Sequence, residues 1–385
     1  MKITSKSIQY FNKLTQNPYY QSISLFSSYT KRVNKTTLTP SKTQNPSHLN
    51  HLISHLPPRF TPDDLHNLIS TQTDPLLSLH LFNHASKHPR FTHSVSTYHI
   101  TLKKLGLSKM YPEFDTLVDQ ILNIRAFGSE SLFNTIIYYY TEARMLSKAV
   151  NVYKHMRDLE TVRAECRPSI RTFNLLFTAF LSRRSDSYVN YVYMDTMSML
   201  FRQMVDDGIE PDVFALNSMI KGYVLSLHVN DALRLYHQMG VVYECVPNSF
   251  TFDYLIHGLC AQGRTCNARK ICGEMKRRGF VPSSKSYSSL VCALVIEGEV
   301  DEAVRWLWEM VECGRVGDYV MYWTLVDEFC RRKRCGDAVT LIRELEEKRL
   351  LDRGVYRKLE CELRVKYGKL FDRYGSASRY DRLII

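Results

Sequence analysis

Residues 171–177 read RTFNLLF, an apolar run of helix-forming residues interrupted by one amide, Asn174, between Phe173 and Leu175. Five other stretches repeat this arrangement with variation: LFNTII at 132–137, ALNSMI at 215–220, TFDYLI at 251–256, SYSSLV at 286–291 and MYWTLV at 321–326. Self-similarity at a fixed period is the sequence signature of a repeat architecture. The polar residue therefore has a fixed position in a repeating unit.

Counting each unit from three residues before its aromatic or leucine landmark predicts seven contiguous units of about 35 residues. They are 95–129, 130–169, 170–212, 213–248, 249–283, 284–318 and 319–352. Independent landmarks give the same frame. An alanine recurs in the second half of five units, and Met or Leu follows seven residues later: Ala149, Ala232, Ala268, Ala303, Ala338, then Met156, Met239, Met275, Met310, Leu345. Met204 takes the methionine position in 170–212.

Each unit contains two apolar-periodic segments separated by a break, and four units end in proline followed by a short polar residue. This pattern predicts two short antiparallel helices. Alanine permits close helix approach, methionine fills the gap between units, and proline ends the second helix. Neither helix can bury its apolar stripe alone, so neighbouring units must stack. The predicted fold is all-α, a right-handed superhelical solenoid of helix-turn-helix repeats.

The segments that flank the repeats have other roles in this prediction. Residues 60–94 fit the period but lack the aromatic-plus-polar signature, which suits a degenerate N-terminal capping repeat. Residues 353–385 begin with one amphipathic segment, VYRKLECELRVKY, and predict a C-terminal capping helix followed by a loose tail.

The N-terminal segment is basic and rich in Ser, Thr and Asn. Net charge is +12, and residues 1–62 hold eight Lys or Arg and no Asp or Glu. An acid-free, Ser-rich N-terminus is typical of an organelle transit peptide. We therefore expect 1–59 to be a transit peptide and disordered linker that directs the protein to the mitochondrion. A plastid destination and a merely disordered tail stay open as alternatives.

Motifs that would indicate catalysis or metal binding are missing from the sequence. The ten cysteines contain no CxxC pair, and no Gly-rich phosphate loop or nucleophile elbow is present. His80, His84 and His88 recur at helical spacing, but no acidic residue completes an HExxH motif, so surface histidines are the preferred interpretation. No apolar run approaches the roughly 20 residues of a spanning helix. We expect no enzyme activity, no cofactor, no metal, no small-molecule substrate and no membrane partner.

In this frame the recurring polar residue is the fifth of every unit: His99, Asn134, Asn174, Asn217, Asp253, Ser288 and Trp323. A stack of first helices would align these residues along one concave face. A helix-capping amide is the alternative interpretation, although a capping residue normally precedes the apolar run.

The period, the aromatic-Asn pair, the Ala and Met landmarks and the terminal Pro-Asp or Pro-Asn resemble the pentatricopeptide repeat family. The resemblance is to its P-type members in plant organelles, and it covers 95–352 strongly and 60–94 weakly. It implies binding of single-stranded RNA, with the fifth and last residues of a unit jointly reading one base. The implied pairs are Asn134 with Ser169 for C, Asn174 with Asp212 for U, Asn217 with Asn248 for C or U, and Ser288 with Asp318 for G.

The chain departs from the family pattern at two positions. The second residue, which in the family is usually small and apolar and sandwiches the base, is Ser96, Ser131, Arg171, Phe214, Phe250, Lys285 and Val320. The thirteenth residue, usually a phosphate-binding lysine, is basic only at Arg331. The resemblance thus implies RNA backbone or stacking contacts for Arg171, Phe214, Phe250, Val320 and Arg331.

The sequence and the family resemblance lead to two alternative functions of different classes. The first is a non-catalytic single-stranded RNA-binding adaptor in organellar RNA processing, stability or translation. The alternative is a structural or assembly protein that uses the solenoid for protein contacts, for example in a ribonucleoprotein or an organellar ribosome, because phosphate-binding lysines are scarce. Within the first function, we expect pyrimidine preference to be carried by 130–248.

Overall fold

The computed structural model describes residues 51–53, 57, 59–160, 163–181 and 187–368. These residues form 18 helices and no strands, so the all-α prediction is confirmed for the described part of the chain. Most of the predicted leader 1–59 and the tail after Gly368 lie outside the described residues. The transit peptide therefore stays a prediction. No helix in the described ranges is both long and apolar enough to cross a membrane.

In the described part of the chain, seventeen α-helices follow one another and a short 3-10 helix lies at Ala164–Cys166. The α-helices are α1 Pro62–Thr71, α2 Pro75–Ser86, α3 Val95–Leu107, α4 Tyr111–Asn123, α5 Glu130–Glu142, α6 Leu146–Glu160, α7 Ile170–Leu181, α8 Ser187–Asp206, α9 Val213–Leu225, α10 Val229–Val241, α11 Ser249–Ala261, α12 Thr265–Arg277, α13 Ser284–Glu297, α14 Val300–Glu312, α15 Tyr319–Arg331, α16 Cys335–Glu347 and α17 Arg353–Tyr367. The first helix of each predicted unit begins at the first residue of that unit.

The described residues group into two compact bodies. The N-terminal body holds the residues up to 181 together with 195–218, and the C-terminal body holds 187–194 and 219–368. In the N-terminal body α3 packs against α1 and α5, and α5 packs against α7. In the C-terminal body α13 packs against α11 and α15, and α15 packs against α17. First helices thus stack on first helices within each body.

The landmark residues of the sequence pattern form the core. The aromatic or leucine landmark of every unit is buried: Tyr98, Phe133, Phe173, Leu216, Phe252, Tyr287 and Tyr322. The recurring alanines and methionines are also fully buried. Burying one such side chain contributes about 1.5–3 kcal/mol. Within each body, the periodic spacing therefore places apolar side chains where successive helices pack together.

The turn inside a unit has the same backbone conformation in six units, although only two of them have glycine there. The fifteenth residue has positive φ in these units: Lys109, Arg144, Leu227, Gly263, Gly298 and Lys333. A left-handed residue just after a helix lets the next amide reach back to a free carbonyl. The Met110 N–H donates to the Leu105 carbonyl at 3.0 Å, and the Glu299 N–H donates to the Leu294 carbonyl at 2.9 Å.

The two ends of the repeat array are closed by different means. At the N-terminal end, Thr61 and Asp64 form a capping box that begins α1. The His93 ring stacks on Phe82 with ring centroids 3.7 Å apart, and burial lowers the pKa of His93 to about 4. At the C-terminal end, the Tyr367 hydroxyl donates to Asp327 Oδ1 at 2.7 Å, which fixes the end of α17 on α15.

Gly106, the penultimate residue of α3, allows that helix to approach α5 closely. A Cβ there would lie 2.5 Å from Cγ and Cδ2 of Tyr139, whose ring is buried and whose hydroxyl donates to the Lys103 carbonyl at 3.1 Å. We expect Gly106→Ala to lower the free energy of unfolding by about 1–3 kcal/mol, because the ring cannot retreat from the added methyl group. Urea denaturation followed by circular dichroism measures the change.

Gly240 provides the matched control, because it is also the penultimate residue of its helix, α10. Its Cβ position has no heavy atom within 4 Å. Gly240→Ala should therefore raise stability by about 0.5–1 kcal/mol, since alanine loses less backbone entropy than glycine in a helix. Equal effects of the two substitutions would contradict the steric explanation for Gly106.

Candidate nucleic-acid interface

The last residue of each unit is the N-cap of the next first helix. A helix N-terminus leaves backbone N–H groups without partners, and a short polar side chain satisfies one of them. Asp212 Oδ1 accepts from the Ala215 N–H at 2.7 Å, and Asp318 Oδ1 accepts from the Met321 N–H at 2.8 Å. The other caps are Ser129, Ser169, Asn248, Ser283 and Asp352. The sequence left open the alternative that the fifth residue of a unit caps a helix. In the structure, the last residue of the preceding unit caps the helix instead.

The structure brings Asn174 and Asp212 into direct contact. The Asn174 side-chain amide donates to Asp212 Oδ2 at 2.9 Å, while the other carboxylate oxygen caps α9. Asn174 Oδ1 is buried and has no hydrogen-bond partner in the protein. A buried carbonyl oxygen without a partner costs about 1–3 kcal/mol. This pair therefore presents an acceptor that a donor group on a ligand could satisfy.

Asn134 and Ser169 are joined through a third residue that the sequence prediction missed. The Asn134 amide donates to Glu130 Oε1 at 2.9 Å, and the Ser169 hydroxyl donates to the same oxygen. Asn134 Oδ1 in turn accepts from the Thr172 hydroxyl at 2.8 Å, and the residue is only 3% exposed. Both polar ends of this amide are engaged, so a base would have to replace existing hydrogen bonds.

In the two remaining predicted pairs, the fifth residue of the unit is largely shielded from solvent. Asn217 and Ser288 are buried, with 8% and 2% of their surfaces exposed. Asn217 lies in the N-terminal body, whereas Asn248 lies in the C-terminal body and caps α11 in a capping box with Thr251. The structure thus places each of these residues at the start of a first helix, as the frame predicts.

A hydroxyl at the third residue of a unit connects the cap to the preceding fifth residue, and sequence reasoning did not identify it. The Ser286 hydroxyl donates to Asp253 Oδ1 at 2.6 Å, and the Ser283 N–H donates to the same oxygen at 3.2 Å. Thr172 makes the equivalent bond to Asn134. The available signal was a hydroxyl residue recurring at third positions: Thr97, Thr172, Thr251 and Ser286.

Two fifth residues without an implied base, His99 and Trp323, contact the second helix further along the chain. His99 Nε2 lies 2.8 Å from the Thr135 hydroxyl, and burial, Lys103 and His66 lower the pKa of His99. Trp323 is partly buried, and Lys366 Nζ of α17 lies 5.6 Å from its ring centroid. These side chains join neighbouring helices within their own bodies.

The second residues differ sharply in exposure. Phe214 is 52% exposed and Phe250 is 61% exposed, and Arg171 is also exposed. Val320 is only 7% exposed and packs in the core of the C-terminal body, so the structure does not support a stacking role for it. Arg331 is exposed and forms an ion pair with Glu328 at 3.4 Å.

The ionisable groups of the described residues were compared with the arrangements that bind metal ions. Within the described ranges, no group of three or more His, Cys, Asp or Glu side chains is placed to hold an ion. The pKa of His84 is lowered by burial and by the neighbouring charges of His88 and Lys87. None of the ten cysteines, all of which lie among the described residues, forms a disulfide bond.

Comparisons with known proteins agree with the helical repeat fold. Residues 211–261 and 247–295 match the PPR repeat family, and residues 131–160 and 285–315 match the PPR repeat. The chain thus resembles pentatricopeptide repeat proteins, and the matches to the family models lie within residues 131–160 and 211–315. The fold resembles the crystal structure of the pentatricopeptide repeat protein PPR10 from maize, with a TM-score of 0.51 and 17% identity over 82% of this chain and 47% of that chain.

Two pentatricopeptide repeat-containing proteins of Arabidopsis thaliana are among the relatives, and both are named as mitochondrial. The first is 60% identical over 62% of this chain and 53% of its own length. The second is 30% identical over 56% of this chain and 55% of its own length. The chain therefore spans about half the length of these curated relatives.

Proposed function

We propose that the protein is a non-catalytic adaptor that binds a short segment of single-stranded RNA in organellar RNA processing, stability or translation. The observation that carries this proposal is the exposure of two large aromatic side chains at the same position of consecutive units. Phe214 and Phe250 are each the second residue of a first helix, and each is more than half exposed. The landmark residue two positions further along, Leu216 or Phe252, is buried in both units.

A phenylalanine left more than half exposed forgoes part of the about 1.5–3 kcal/mol that full burial contributes. Single exposed apolar residues are common, but exposure of a phenylalanine at the same repeat position in two successive units indicates that this position contacts a ligand in each unit. Unpaired bases stack on aromatic faces, and this interaction tolerates any sequence. Neighbouring fifth residues, including Asn174, carry the amide groups that can hydrogen-bond a base edge.

We further propose that the protein works in mitochondria. Two relatives named as mitochondrial and the basic, acid-free leader support this location. A fluorescent fusion of the full chain, viewed with mitochondrial and plastid markers, tests it. Plastid signal alone would contradict the proposal.

Fluorescence anisotropy with labelled oligonucleotides tests the RNA-binding function. The full chain should bind single-stranded RNA and should bind a duplex of the same RNA much more weakly, because paired bases cannot stack on exposed rings. Affinity should fall with rising salt, since phosphate contacts release counterions. Absence of binding, together with RNase-resistant sedimentation with a ribosomal subunit, would favour an assembly role instead.

Asp212→Asn is expected to shift base preference from U toward C at one position by about 1 kcal/mol or more. The carboxylate offers only acceptors, whereas an amide offers both donors and acceptors at the same place beside Asn174. Asn is as good an N-cap as Asp, so folding should be retained. Binding to randomised RNA pools, followed by sequencing, measures the preference.

Asp352→Asn is the control for this substitution. Asp352 caps α17 through the Val355 N–H at 2.8 Å, and the fifth residue of its unit is Trp323 rather than an amide. The base profile should not change. An unchanged profile for Asp212→Asn as well, with a wild-type circular dichroism spectrum, would refute the reading role of Asp212.

A further inference from the structure

The carboxylate of Glu130 lies between the fifth and last side chains of the unit 130–169. Its Oε1 atom accepts hydrogen bonds from the Asn134 side-chain amide, at 2.9 Å, and from the Ser169 hydroxyl. An atom within hydrogen-bonding distance of both side chains occupies the space that a base edge would need in order to contact them together. Glu130 therefore closes this pair with an acceptor from within the protein.

The place of Glu130 in its helix offers a simpler explanation, which accounts for only part of the arrangement. Glu130 is the first residue of α5, and a carboxylate in the first turn stabilises a helix N-terminus. Its contact with Asn134 has the four-residue spacing of side-chain pairs on one helix. Ser169, however, lies 39 positions further along the chain and also accepts from the Arg171 N–H at 3.1 Å. Stabilising the start of α5 does not require this third contact.

The first residue of a unit is charged only in 130–169. The other first residues are Val95, Ile170, Val213, Ser249, Ser284 and Tyr319. In the next unit Ile170 has no polar side-chain group, and the Asn174 amide donates directly to the last residue, Asp212, at 2.9 Å. Two neighbouring units with the same fifth residue therefore differ, because only the first of them holds a third side chain between the fifth and last residues.

The donors that Glu130 engages are the groups through which this unit could recognise a base. Asn134 Oδ1 already accepts from the Thr172 hydroxyl at 2.8 Å, so the groups left for a ligand are the Asn134 amide N–H and the Ser169 O–H. Two neighbouring donors match the adjacent acceptors N3 and O2 on the Watson–Crick edge of cytosine. Glu130 Oε1 accepts from the same two donors and is thus an internal substitute for such a base.

We propose that Glu130 determines the specificity of the RNA-binding surface by preventing the unit 130–169 from reading a base. In the wild-type protein the nucleotide at this unit is bound without base preference, and base reading is left to other units such as 170–212. Loss of the Glu130 carboxylate releases Asn134 and Ser169, and the unit then selects cytosine. This inference rests on the proposed RNA-binding function.

Binding of the full chain to randomised pools of single-stranded RNA, followed by sequencing, compares the wild type with Glu130→Ala. The variant should gain one new position at which cytosine is enriched about fivefold or more over the other bases, which is the discrimination of a single base contact. This position should be adjacent to the one at which Asp212→Asn changes the preference. The wild type should show no base preference there.

Two control variants separate base reading from general effects of charge. Glu113→Ala removes a carboxylate from the first turn of α4, the second helix of the unit 95–129, so it changes the net charge and a helix start in the same way. It should keep the wild-type base profile. Glu130→Gln is neutral but keeps an oxygen that can accept both hydrogen bonds, so it should also keep that profile. A new cytosine position in Glu130→Gln would overturn the proposal, because charge rather than occupancy would then exclude the base.

The outcomes distinguish this inference from the proposed function. If the wild type binds single-stranded RNA and Glu130→Ala, with a wild-type circular dichroism spectrum, has the same base profile, Glu130 does not close the unit and the RNA-binding function stands. Glu130→Ser also removes the carboxylate, and it decides the question in the same way if Glu130→Ala does not fold. If neither the wild type nor the variants bind single-stranded RNA, the proposed function fails and this inference fails with it.

Discussion

Phe173→Ala is expected to lower the free energy of unfolding of the N-terminal body by about 3–5 kcal/mol. Phe173 is fully buried, and its ring packs edge-on against Tyr153 with centroids 5.5 Å apart and against Phe177 at 6.4 Å. Removing the ring leaves a cavity between α6 and α7 that rigid helices cannot close. Urea denaturation and thermal melting of the full chain measure the loss.

Phe214→Ala is the matched control for this prediction, because it removes the same ring at an exposed place in the same body. It should change stability by no more than about 0.5 kcal/mol. Similar losses for the two substitutions would mean that Phe214 is a core residue, which would remove the observation on which the proposed function rests.

The double variant Phe214→Ala and Phe250→Ala should lose most of its affinity for single-stranded RNA while keeping its fold. Stacking of a base on an aromatic ring contributes about 1–3 kcal/mol. Each Phe should therefore account for about 10- to 100-fold in affinity. Anisotropy titrations at one fixed salt concentration measure the dissociation constants of the single and double variants.

Substitutions that keep different properties of the ring identify the interaction. Replacing both residues with Tyr preserves the aromatic face and should preserve affinity, whereas replacing both with Leu preserves apolar area only and should weaken binding as Ala does. Wild-type affinity in the double Ala variant would show that RNA, if bound, does not use these rings.

Loss of stacking in the Phe variants should reduce affinity without changing the slope of log affinity against log salt, because no phosphate contact is removed.

The sequence predicted the helices and the repeat frame closely because both depend on local chemistry. Apolar spacing, proline positions and N-capping residues act within a few residues of each other, and they mark helix starts such as Val213 and Ser249. The same locality explains why the landmark aromatics were identified as core. By contrast, Lys109 and Arg144 adopt positive φ at turns where no glycine marks that conformation.

The candidate interface was predicted less completely, because hydrogen bonding between units depends on side-chain geometry. The sequence placed Asn134 and Asn174 at the same repeat position, yet Asn134 is tied to Glu130 and Thr172 while Asn174 keeps an unpartnered oxygen. Val320 and Phe214 also share a position, but one is buried and the other exposed. Equivalent positions need not have equivalent surroundings.

The sequence by itself determined the helical repeat, its period and the residues that form the core, because periodic burial and helix capping follow from short-range pattern. The tertiary structure alone decided which polar side chains remain without partners, among them Asn174 with its Oδ1 atom. Whether such a group is satisfied depends on residues more than 30 positions away, which only stacking brings into contact.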